Sequence, residues 1–563
     1  MIRRAAVLCL ILAWPTSLRS VDPPTSEVVS RAEKLYQEKR WEEVVQLATS
    51  QPETPAELDY LSGRALARLE RWDEARIALE RGQVKHPQDK RFPLELAGVA
   101  FKQQRYSEAK AALHRALRLD PRDIYGNDFL ATIYLLEDNL EAALTYWNRI
   151  EKPYIEQVKH EPEPEVDSAI LDRAFAFPPA GVLALENLRT TRARLNELGV
   201  FRQYRFDLEP VENGGFDVTF RSAPRRSWGD GKLSTLLSLG RGLPFQTVYP
   251  EFYNLGGSAM NLRSLLRWDA QKRRAFADFS APLGGEPQWR YGVHIDLRDE
   301  KWDLAGAFAG SAAPVGELKM QFAEAGAGIR SRVNGRWGWS SAILVSRRRF
   351  QHQGFNEQWA SEFLTDGYAL KHRAQLDYEL LRQPERRLTT RSGLRWDLGK
   401  MFGQSHSRFS KFESSIETRW LPQARGDDYE TILGVRAGTT WGRVPFDELF
   451  QLGLERDSDL WMRGHVGTRD GRKGNAPLGR NYLLVSGSLN KIVYAGPGFS
   501  IGAGPFVDSG KITDPSPFLG AKKWLWDTGA QVRLNVFGGL GILFVYGKDL
   551  RSGRNVFYAT LGR

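Results

Sequence analysis

From about Lys232 to the last residue, one strand-like run follows another, and apolar and charged residues alternate within the runs. In residues 289–298 every second side chain is apolar or aromatic, and the positions between them are mostly charged; residues 370–380 repeat the arrangement. Because successive side chains of a strand point to opposite faces, each predicted strand has one apolar and one charged face. The charged face of such a sheet cannot be buried in a soluble core, and the opposite face is too apolar to be exposed to water.

A transmembrane antiparallel β-barrel accommodates both faces, because lipid covers the outside, water fills the lumen, and closure leaves no free backbone edge. We therefore predict an outer-membrane barrel over residues 229–563. At roughly 20 residues for each strand with its loop, this length accommodates about 16 strands. A soluble β-sandwich or propeller is the alternative.

The first 20 residues have the order of a secretory signal peptide. Arg3 and Arg4 precede an apolar run over 5–14, and Pro15 and small polar residues follow. The run is about half the length that a membrane-spanning helix needs, so a signal peptide over 1–20 is preferred to a permanent anchor. Cys9, the only cysteine, lies in this segment. The predicted mature chain therefore has no disulfide, thiolate metal site or cysteine nucleophile.

Residues 28–154 repeat with a period of 34. Ala75, Ala109 and Ala143 are 34 residues apart, as are Trp72 and Tyr106, whereas Gly98 stands one place out of register with Gly63. This spacing resembles the tetratricopeptide repeat, which implies an all-α superhelix of stacked helix pairs. We expect the small residues to let paired helices approach closely and the aromatic ones to fill the gaps between them.

The repeat region has two interpretations. It is either a plain helical scaffold, or, as the resemblance implies, a module whose concave face binds a peptide or a partner protein. The acidic, proline-punctuated residues 155–166 that follow are interpreted as an extended linker.

Residues 167–224 indicate a small α+β domain. The pattern predicts a strand over 174–177, a helix over 186–198 that Gly199 ends, and two strands over 200–208 and 216–220. This order, with the sequence Arg194-Leu-Asn-Glu-Leu-Gly199-Val-Phe201, resembles a POTRA domain. The resemblance implies a periplasmic module placed before a barrel and associated with polypeptide transport. A small domain without a transport role is the alternative.

Three local sequences add a third resemblance. They are Phe446-Asp-Glu-Leu-Phe450 with Leu460-Trp-Met-Arg463-Gly464, then Ile501-Gly-Ala-Gly-Pro-Phe506-Val-Asp508-Ser-Gly510, and finally residues 539–549. Together they resemble the bacterial surface antigen barrels, the superfamily of the Bam and Tam assembly proteins and of two-partner-secretion transporters. The resemblance implies that Arg463 lies on a loop folded into the lumen and pairs with Asp508. Gly464 would then permit a tight loop tip, and Gly510 a close approach of loop and wall.

Two positions depart from that family's pattern. His465 stands where an aromatic residue usually follows Arg-Gly, and the chain finishes in Arg563 where such barrels commonly finish in an aromatic residue. The first departure puts the packing of the loop in question, and the second puts recognition by the assembly machinery in question.

Two sequence matches to enzyme motifs lack the secondary structure that those motifs require. Residues 498–502 match G-x-S-x-G around Ser500, but that motif requires a helix directly after the serine, and here a strand pattern continues. The glycine-rich residues 538–541 likewise lack a following helix. The net charge of +11 is spread along the chain rather than gathered in one block, so nucleic acid is not expected as a partner. We expect no enzymatic activity, cofactor or metal.

These observations predict an outer-membrane protein with its N-terminal modules in the periplasm. It would insert, assemble or translocate polypeptides, and its repeats and POTRA-like domain would bind client or partner proteins. The alternative is a repeat-plus-barrel porin that exports an exopolysaccharide or displays surface lipoproteins. A barrel that only anchors a binding module is the third possibility.

Overall fold

The computed structural model describes residues 25–212, 214–226, 240, 242–305, 314–355, 357–403, 406–426, 428–496, 499–517, 519–536 and 540–561. The predicted signal peptide over 1–20, with Cys9, lies outside these residues. The chain divides into two compact units, Met1–Ile133 and Tyr134–Arg563. In the described part of the chain, every helix is too short or too polar to cross a membrane.

The first unit is helical, and its geometry repeats. Its helices are α1 (Thr25–Gln37), α2 (Trp41–Thr49), α3 (Ala56–Arg68), α4 (Trp72–Lys85), α5 (Arg91–Lys102), α6 (Tyr106–Leu119) and α7 (Ile124–Leu136), the last of which crosses the unit boundary. The turns before α4 and α6 each contain a left-handed residue, Glu70 and Gln104, with φ of 60°. Trp72 and Tyr106 begin the two helices, so the 34-residue sequence period is also a structural period.

The small residues of the repeats are buried where helices meet. Ala75 and Ala109 have no exposed surface, and a Cβ at Gly63 would lie 2.5 Å from Cγ of Leu79. The interpretation of Gly98 as a close-approach residue is wrong, because no atom lies within 4 Å of the position a Cβ would take there. Ala97, which is 34 residues after Gly63, is fully buried and takes that place in the repeat. Trp72 and Tyr106 are half-buried.

The second unit begins with the end of α7 and α8 (Leu140–Trp147), where Ala143 is fully buried. A small α+β module follows: β1 (Tyr154–Glu161), α9 (Ser168–Ala174), β2 (Gly181–Val182), α10 (Leu185–Leu198), β3 (Phe201–Pro210) and β4 (Phe216–Pro224). The strand order in its sheet is β2-β1-β4-β3, and β1 runs parallel to β4. Gly199 ends α10 in the left-handed conformation, with φ of 69°, as predicted.

Two predictions for this region are wrong. Residues 155–166 are not an extended linker, since β1 is a strand of the sheet and Ile155 is fully buried. The prolines that suggested a spacer, Pro162 and Pro164, both come after the strand. The strand predicted over 174–177 is absent, because α9 ends at Ala174 and the phenylalanines that follow pack into the core as irregular chain.

The remaining strands form a largely antiparallel sheet whose order closes on itself as a barrel. The long wall strands are β7 (Met260–Trp268), β8 (Lys272–Leu283), β9 (Glu286–Ala305), β10 (Pro314–Arg332), β11 (Trp337–Gln353), β12 (Gly367–Gln383), β13 (Leu388–Gly403), β14 (Arg408–Trp420), β15 (Tyr429–Gly442), β20 (Asn481–Ala495), β21 (Phe499–Thr513), β22 (Leu525–Val536), β23 (Leu540–Asp549) and β24 (Asn555–Leu561). Shorter elements are β5 (Thr247–Val248), β6 (Glu251–Leu255), β16 (Phe450–Gln451), β17 (Thr468–Arg469), β18 (Arg472–Lys473), β19 (Leu478–Gly479) and the helix α11 (Glu357–Phe363). The figure of about 16 strands stays a prediction, because segments such as 227–239 lie outside the described residues.

The predicted alternation of faces is present in the wall. In β9, Ile295 and Leu297 are 49% and 47% exposed on the outer face, whereas Asp296 between them is buried on the inner face. In β12, Leu370 is exposed outward and Lys371 is buried inward. The outer surface of the described barrel therefore carries an apolar band, and the inner surface carries the charges.

The α+β module rests on the hairpin turns at one end of the barrel. The backbone N–H of Asp167 donates to the carbonyl of Gly257 at 2.8 Å, and the side-chain amide of Asn261 donates to the carbonyl of Leu198 at 2.8 Å. We call this end of the barrel the module end and the other the far end.

Candidate functional site: the luminal segment

Residues 444–480, which we call the luminal segment, leave the wall between β15 and β20. Those two strands pair directly, from Tyr429 with Lys491 to Thr439 with Asn481, so the wall is continuous without the segment. The segment contacts inward-facing side chains on strands from β7 to β23, around the whole sheet. A segment with partners on all sides of a closed barrel must lie inside it.

Apolar packing holds the start of the segment. Phe446 lies edge-on to Trp302 with a ring-centre distance of 5.0 Å, and it also contacts Phe350 and Trp359. Phe450 packs on Tyr482 at 4.6 Å, and β16 pairs with β19 within the segment. The segment is therefore a folded element with its own core.

Acidic side chains of the segment are matched by basic side chains of the wall. Glu448 accepts from Nζ of Lys371 at 2.8 Å, and Asp447 lies 3.1 Å from the guanidinium of Arg348. The carboxylate of Asp457 lies 2.8 Å from both Arg267 and Arg274 of the wall. It also lies 3.1 Å from Lys473, which belongs to the segment and pairs with Glu300 of the wall at 2.6 Å. These side chains are at most 15% exposed. Buried charges are stable only when paired, so each acid fixes part of the segment to the wall.

The structure brings together Arg463 and Asp508, the two residues that the sequence resemblance implied as a pair. Nε of Arg463 donates to Oδ2 of Asp508 at 2.8 Å, and the backbone N–H of Arg463 donates to the same oxygen at 3.0 Å. Nη1 donates to Oε1 of Gln531 at 3.0 Å, and the guanidinium lies 4.0 Å from the ring centre of Phe506. Asp508 has no exposed surface, and Arg463 is 8% exposed.

Gly464 and His465 extend this contact to the next two strands. The backbone N–H of Gly464 donates to Oδ2 of Asp527 at 2.6 Å. Nδ1 of His465 lies 3.1 Å from the same carboxylate, and its Nε2 lies 3.5 Å from Oδ2 of Asp549. His465 is therefore buried between two wall carboxylates.

Close backbone approach explains the glycines around this tip. A Cβ at Gly464 would lie 2.6 Å from Cγ of Asp527, and one at Gly510 would lie 3.0 Å from Sδ of Met462. Gly547 of β23 is the tightest, because a Cβ there would lie 2.2 Å from the carbonyl oxygen of Arg463. Larger residues at these positions would push the tip off the wall.

The contacts of the segment differ in sign between the two sides of the lumen. Most of its acids face basic side chains on β7 to β15, although Lys473 of the segment pairs with Glu300 of β9. The tip presents Arg463 and His465 to carboxylates on β21 to β23. The sequence resemblance indicated only Arg463 and Asp508. It missed Asp527, although Asp527 stands directly opposite Asp508 in the strand register and so has the same inward parity.

His465, Asp527 and Asp549 can each offer one metal-ligating atom, and these atoms lie within 4.8 Å of one another. An imidazole and two carboxylates suit a divalent transition metal. In this structure, however, the two imidazole nitrogens face different carboxylates, so the three side chains contact one another directly. Ser500, the serine of the G-x-S-x-G match, lies within β21 and accepts from Asn535 at 3.2 Å, without the strand-to-helix turn of a nucleophile elbow.

Beside the segment, a cavity of about 570 Å³ remains in the lumen. Charged residues from both sides line it, among them Asp296, Arg373 and Glu413. The segment and this cavity therefore share the lumen of the described barrel.

No protein-family profile and no curated protein sequence matches the chain. Among solved structures, it is similar to BamA from Haemophilus ducreyi lacking POTRA domains 1–3, with 11% identity, 72% of this chain and 83% of that chain covered, and a TM-score of 0.44. It is also similar to CdiB from Escherichia coli, with 14% identity, 73% and 74% covered, and a TM-score of 0.48. A third is CdiB from Acinetobacter baumannii, with 10% identity, 80% of each chain covered, and a TM-score of 0.43. Similarity at this level leaves the function to be argued from the chain's own geometry.

Proposed function

We propose that this chain is a non-enzymatic outer-membrane barrel that inserts or translocates polypeptides and is held closed by its luminal segment. The observation that carries the proposal is a folded segment whose first half and whose tip are fixed to opposite sides of the lumen by buried, charged contacts. The resemblances to the tetratricopeptide repeat, the POTRA domain and the bacterial surface antigen barrels, read from the sequence, support the same assignment.

The outer face supports placement in a membrane. Aromatic side chains stand half-exposed at both ends of the described strands: Trp337, Trp420, Tyr494 and Phe499 toward the module end, and Trp268, Tyr368, Trp441 and Trp526 toward the far end. Aliphatic side chains occupy the band between them, and water would not tolerate so large a continuous apolar surface. Two aromatic girdles around an apolar band are typical of transmembrane barrels.

The separation of these girdles matches a bilayer. On β11, Trp337 of one girdle is ten residues from Arg347, which stands beside Tyr368 of the other girdle in the strand register. Ten residues span about 33 Å along a strand. At the tilt of about 40° that such barrels have, this corresponds to about 25 Å along the membrane normal. That height equals the apolar band of a typical outer-membrane barrel. In the orientation that we propose, the module end of the barrel faces the periplasm.

The occupied lumen favours a gated conduit over a permanently open pore. A polypeptide can pass only if the segment moves, and the segment is retained by pairs such as Arg463 with Asp508 rather than by covalent links. On the periplasmic side, β3 is an edge strand of the module's sheet and can accept a client strand by augmentation. The helical repeats before it provide a second binding surface.

The competing function is a porin for an exopolysaccharide or for lipoprotein display. Depletion of the protein, followed by comparison of the outer-membrane and surface proteomes, separates the two. Loss of particular barrels or of an exported protein supports the proposal, whereas loss of surface sugar with an unchanged proteome refutes it. Complementation with Arg463→Ala and, as the control, Arg436→Ala tests whether the luminal pair matters. Arg436 also binds the segment, through Asp459, but at an exposed site.

A further inference from the structure

A shallow groove of about 630 Å³ lies on the outer face of the barrel across β7 to β11. The strand register places two rows of side chains in it. One row is Trp268, Arg273, Asp299, Gln321 and Arg349, and the next is Leu266, Ala275, Leu297, Ala323 and Arg347. We call this the arginine groove.

The groove combines an apolar floor with a cationic rim. Ala275 and Ala323 flank Leu297, so small side chains leave a depression in the outer surface. Arg273, Arg347 and Arg349 are exposed at its edges. An acyl chain suits such a floor, and guanidinium groups bind phosphate in a bidentate manner.

The three rim arginines differ from the arginines inside the barrel. The inward-facing Arg267 and Arg274 on the same strands each pair with Asp457. None of the three rim arginines forms an ion pair with a described residue, and Asp299, the acid in the lining of the groove, lies 3.5 Å from Lys319. The rim therefore presents unneutralised positive charge toward the membrane.

The height of the groove selects a head group rather than the bilayer core. Trp268 and Arg273 flank the β7–β8 turn, at the far end of the barrel, beside the aromatic girdle described above. An arginine costs about 2 to 4 kcal/mol at the bilayer midplane but little at the interface, so three outward arginines indicate the head-group level. In the orientation of the proposed function, this is the outer leaflet.

We propose that the arginine groove binds a phosphorylated glycolipid of the outer leaflet, of the lipid A type. Its phosphates would lie on Arg273, Arg347 and Arg349, and an acyl chain would lie over Leu297. Trp268 and Tyr368 would flank the sugar at the interface. The ring centre of Tyr368 lies 5.5 Å from the guanidinium carbon of Arg347. This proposal rests on the part of the proposed function that places the barrel in the outer membrane. It does not depend on the transport of a client polypeptide.

The test measures the binding of lipid A to the full-length protein in detergent micelles by native mass spectrometry. The groove variant is Arg273→Gln/Arg347→Gln/Arg349→Gln. The control variant is Lys400→Gln/Lys548→Gln/Arg551→Gln, which removes the same charge from the far end outside the groove. Circular dichroism and heat-dependent gel mobility check that both variants fold.

We expect the wild type to retain bisphosphorylated lipid A. Each basic residue near an anionic surface contributes about fivefold, so the groove variant should bind on the order of 100-fold more weakly. The control variant should stay within about threefold of wild type, because its three basic residues lie outside the groove and would not contact the bound phosphates, so only the long-range attraction described for basic residues near anionic groups is lost. Equal losses in both variants would overturn the proposal, as would equal binding of fully dephosphorylated lipid A or of phosphatidylglycerol. Because no client enters the assay, a negative result leaves the transport proposal untouched.

Discussion

Replacement of Arg463 by alanine is the most direct test of the luminal contact. The substitution removes the side-chain donors to Asp508 and the donor to Gln531, and only the backbone N–H at 3.0 Å remains on the aspartate. Asp508 is fully buried, so its charge would be left largely uncompensated. Removal of one partner from a buried pair costs about 3 kcal/mol or more.

The substitution destabilises the closed state relative to the state in which the segment is displaced. In the displaced state residue 463 makes no contact with Asp508, so its replacement has no effect there. A loss of about 3 kcal/mol raises the displaced population about 150-fold. Conductance of the reconstituted protein in planar bilayers, recorded as the open fraction at low voltage, measures this directly. Urea unfolding in micelles, followed by tryptophan fluorescence, measures the accompanying loss of stability.

Two variants make the experiment specific. Arg463→Lys keeps the charge but not the fork that contacts both Asp508 and Gln531, so its effect should be intermediate. Arg436→Ala breaks a pair whose carboxylate partner, Asp459, is 56% exposed, so its effect should be at most about 1 kcal/mol. If Arg463→Ala and Arg436→Ala have equal open fractions and equal stabilities, the buried pair does not hold the segment and the reasoning is wrong.

Three further changes test other contacts. Gly464→Ala places a Cβ 2.6 Å from Cγ of Asp527, so we expect a loss of about 1 to 3 kcal/mol and a raised open fraction in the same bilayer assay; wild-type conductance would count against the tight tip. Leu79→Ala, at a fully buried position of the helical repeats, should cost about 2 to 5 kcal/mol in thermal unfolding followed at 222 nm. Glu141→Gln removes the carboxylate to which Arg382 of the barrel donates at 2.7 Å. We expect it to lower the free energy of unfolding by about 3 kcal/mol at pH 7. Burial acts to raise the pKa of Glu141, but Arg382 and Arg192 outweigh it and hold that pKa below its ordinary value. The carboxylate therefore stabilises the fold above about pH 4.3 and loses this effect as the pH falls through the lowered pKa, so urea unfolding should show the wild type and the variant converging only in acid.

The barrel and the repeats could be predicted because each rests on a local regularity. The alternation that places Ile295 and Asp296 on opposite faces can be seen in consecutive residues. The 34-residue period can be found by comparing the sequence with itself. The strand β1 could not be found this way, because it runs parallel to β4, whose partner residues lie about 60 positions later. Its acidic, proline-containing neighbourhood resembles a linker at short range.

The same distinction applies to the luminal contact. Arg463 and Asp508 lie in motifs whose order resembles a family, so the pair could be proposed without coordinates. The partners Asp457 with Arg274, and His465 with Asp549, depend on where the segment crosses the lumen. Their residues are separated by 183 positions in the first pair, and nothing local marks them. Register alone could have added Asp527, since it faces Asp508 across one strand pair.

The contacts of opposite sign on the two sides of the lumen bear on how the barrel would open. If the segment leaves, the lumen retains a basic side, with Arg267, Arg274 and Lys371, and an acidic side, with Asp508 and Asp527. Each side then lacks the counter-charges that the segment supplied, which is unfavourable unless another charged chain replaces the segment. A polypeptide with acidic and basic residues can supply both signs, and the fields of the two sides would orient it. Under the proposed function, opening and client entry are therefore coupled, and the unoccupied barrel stays closed because the segment is its best available ligand.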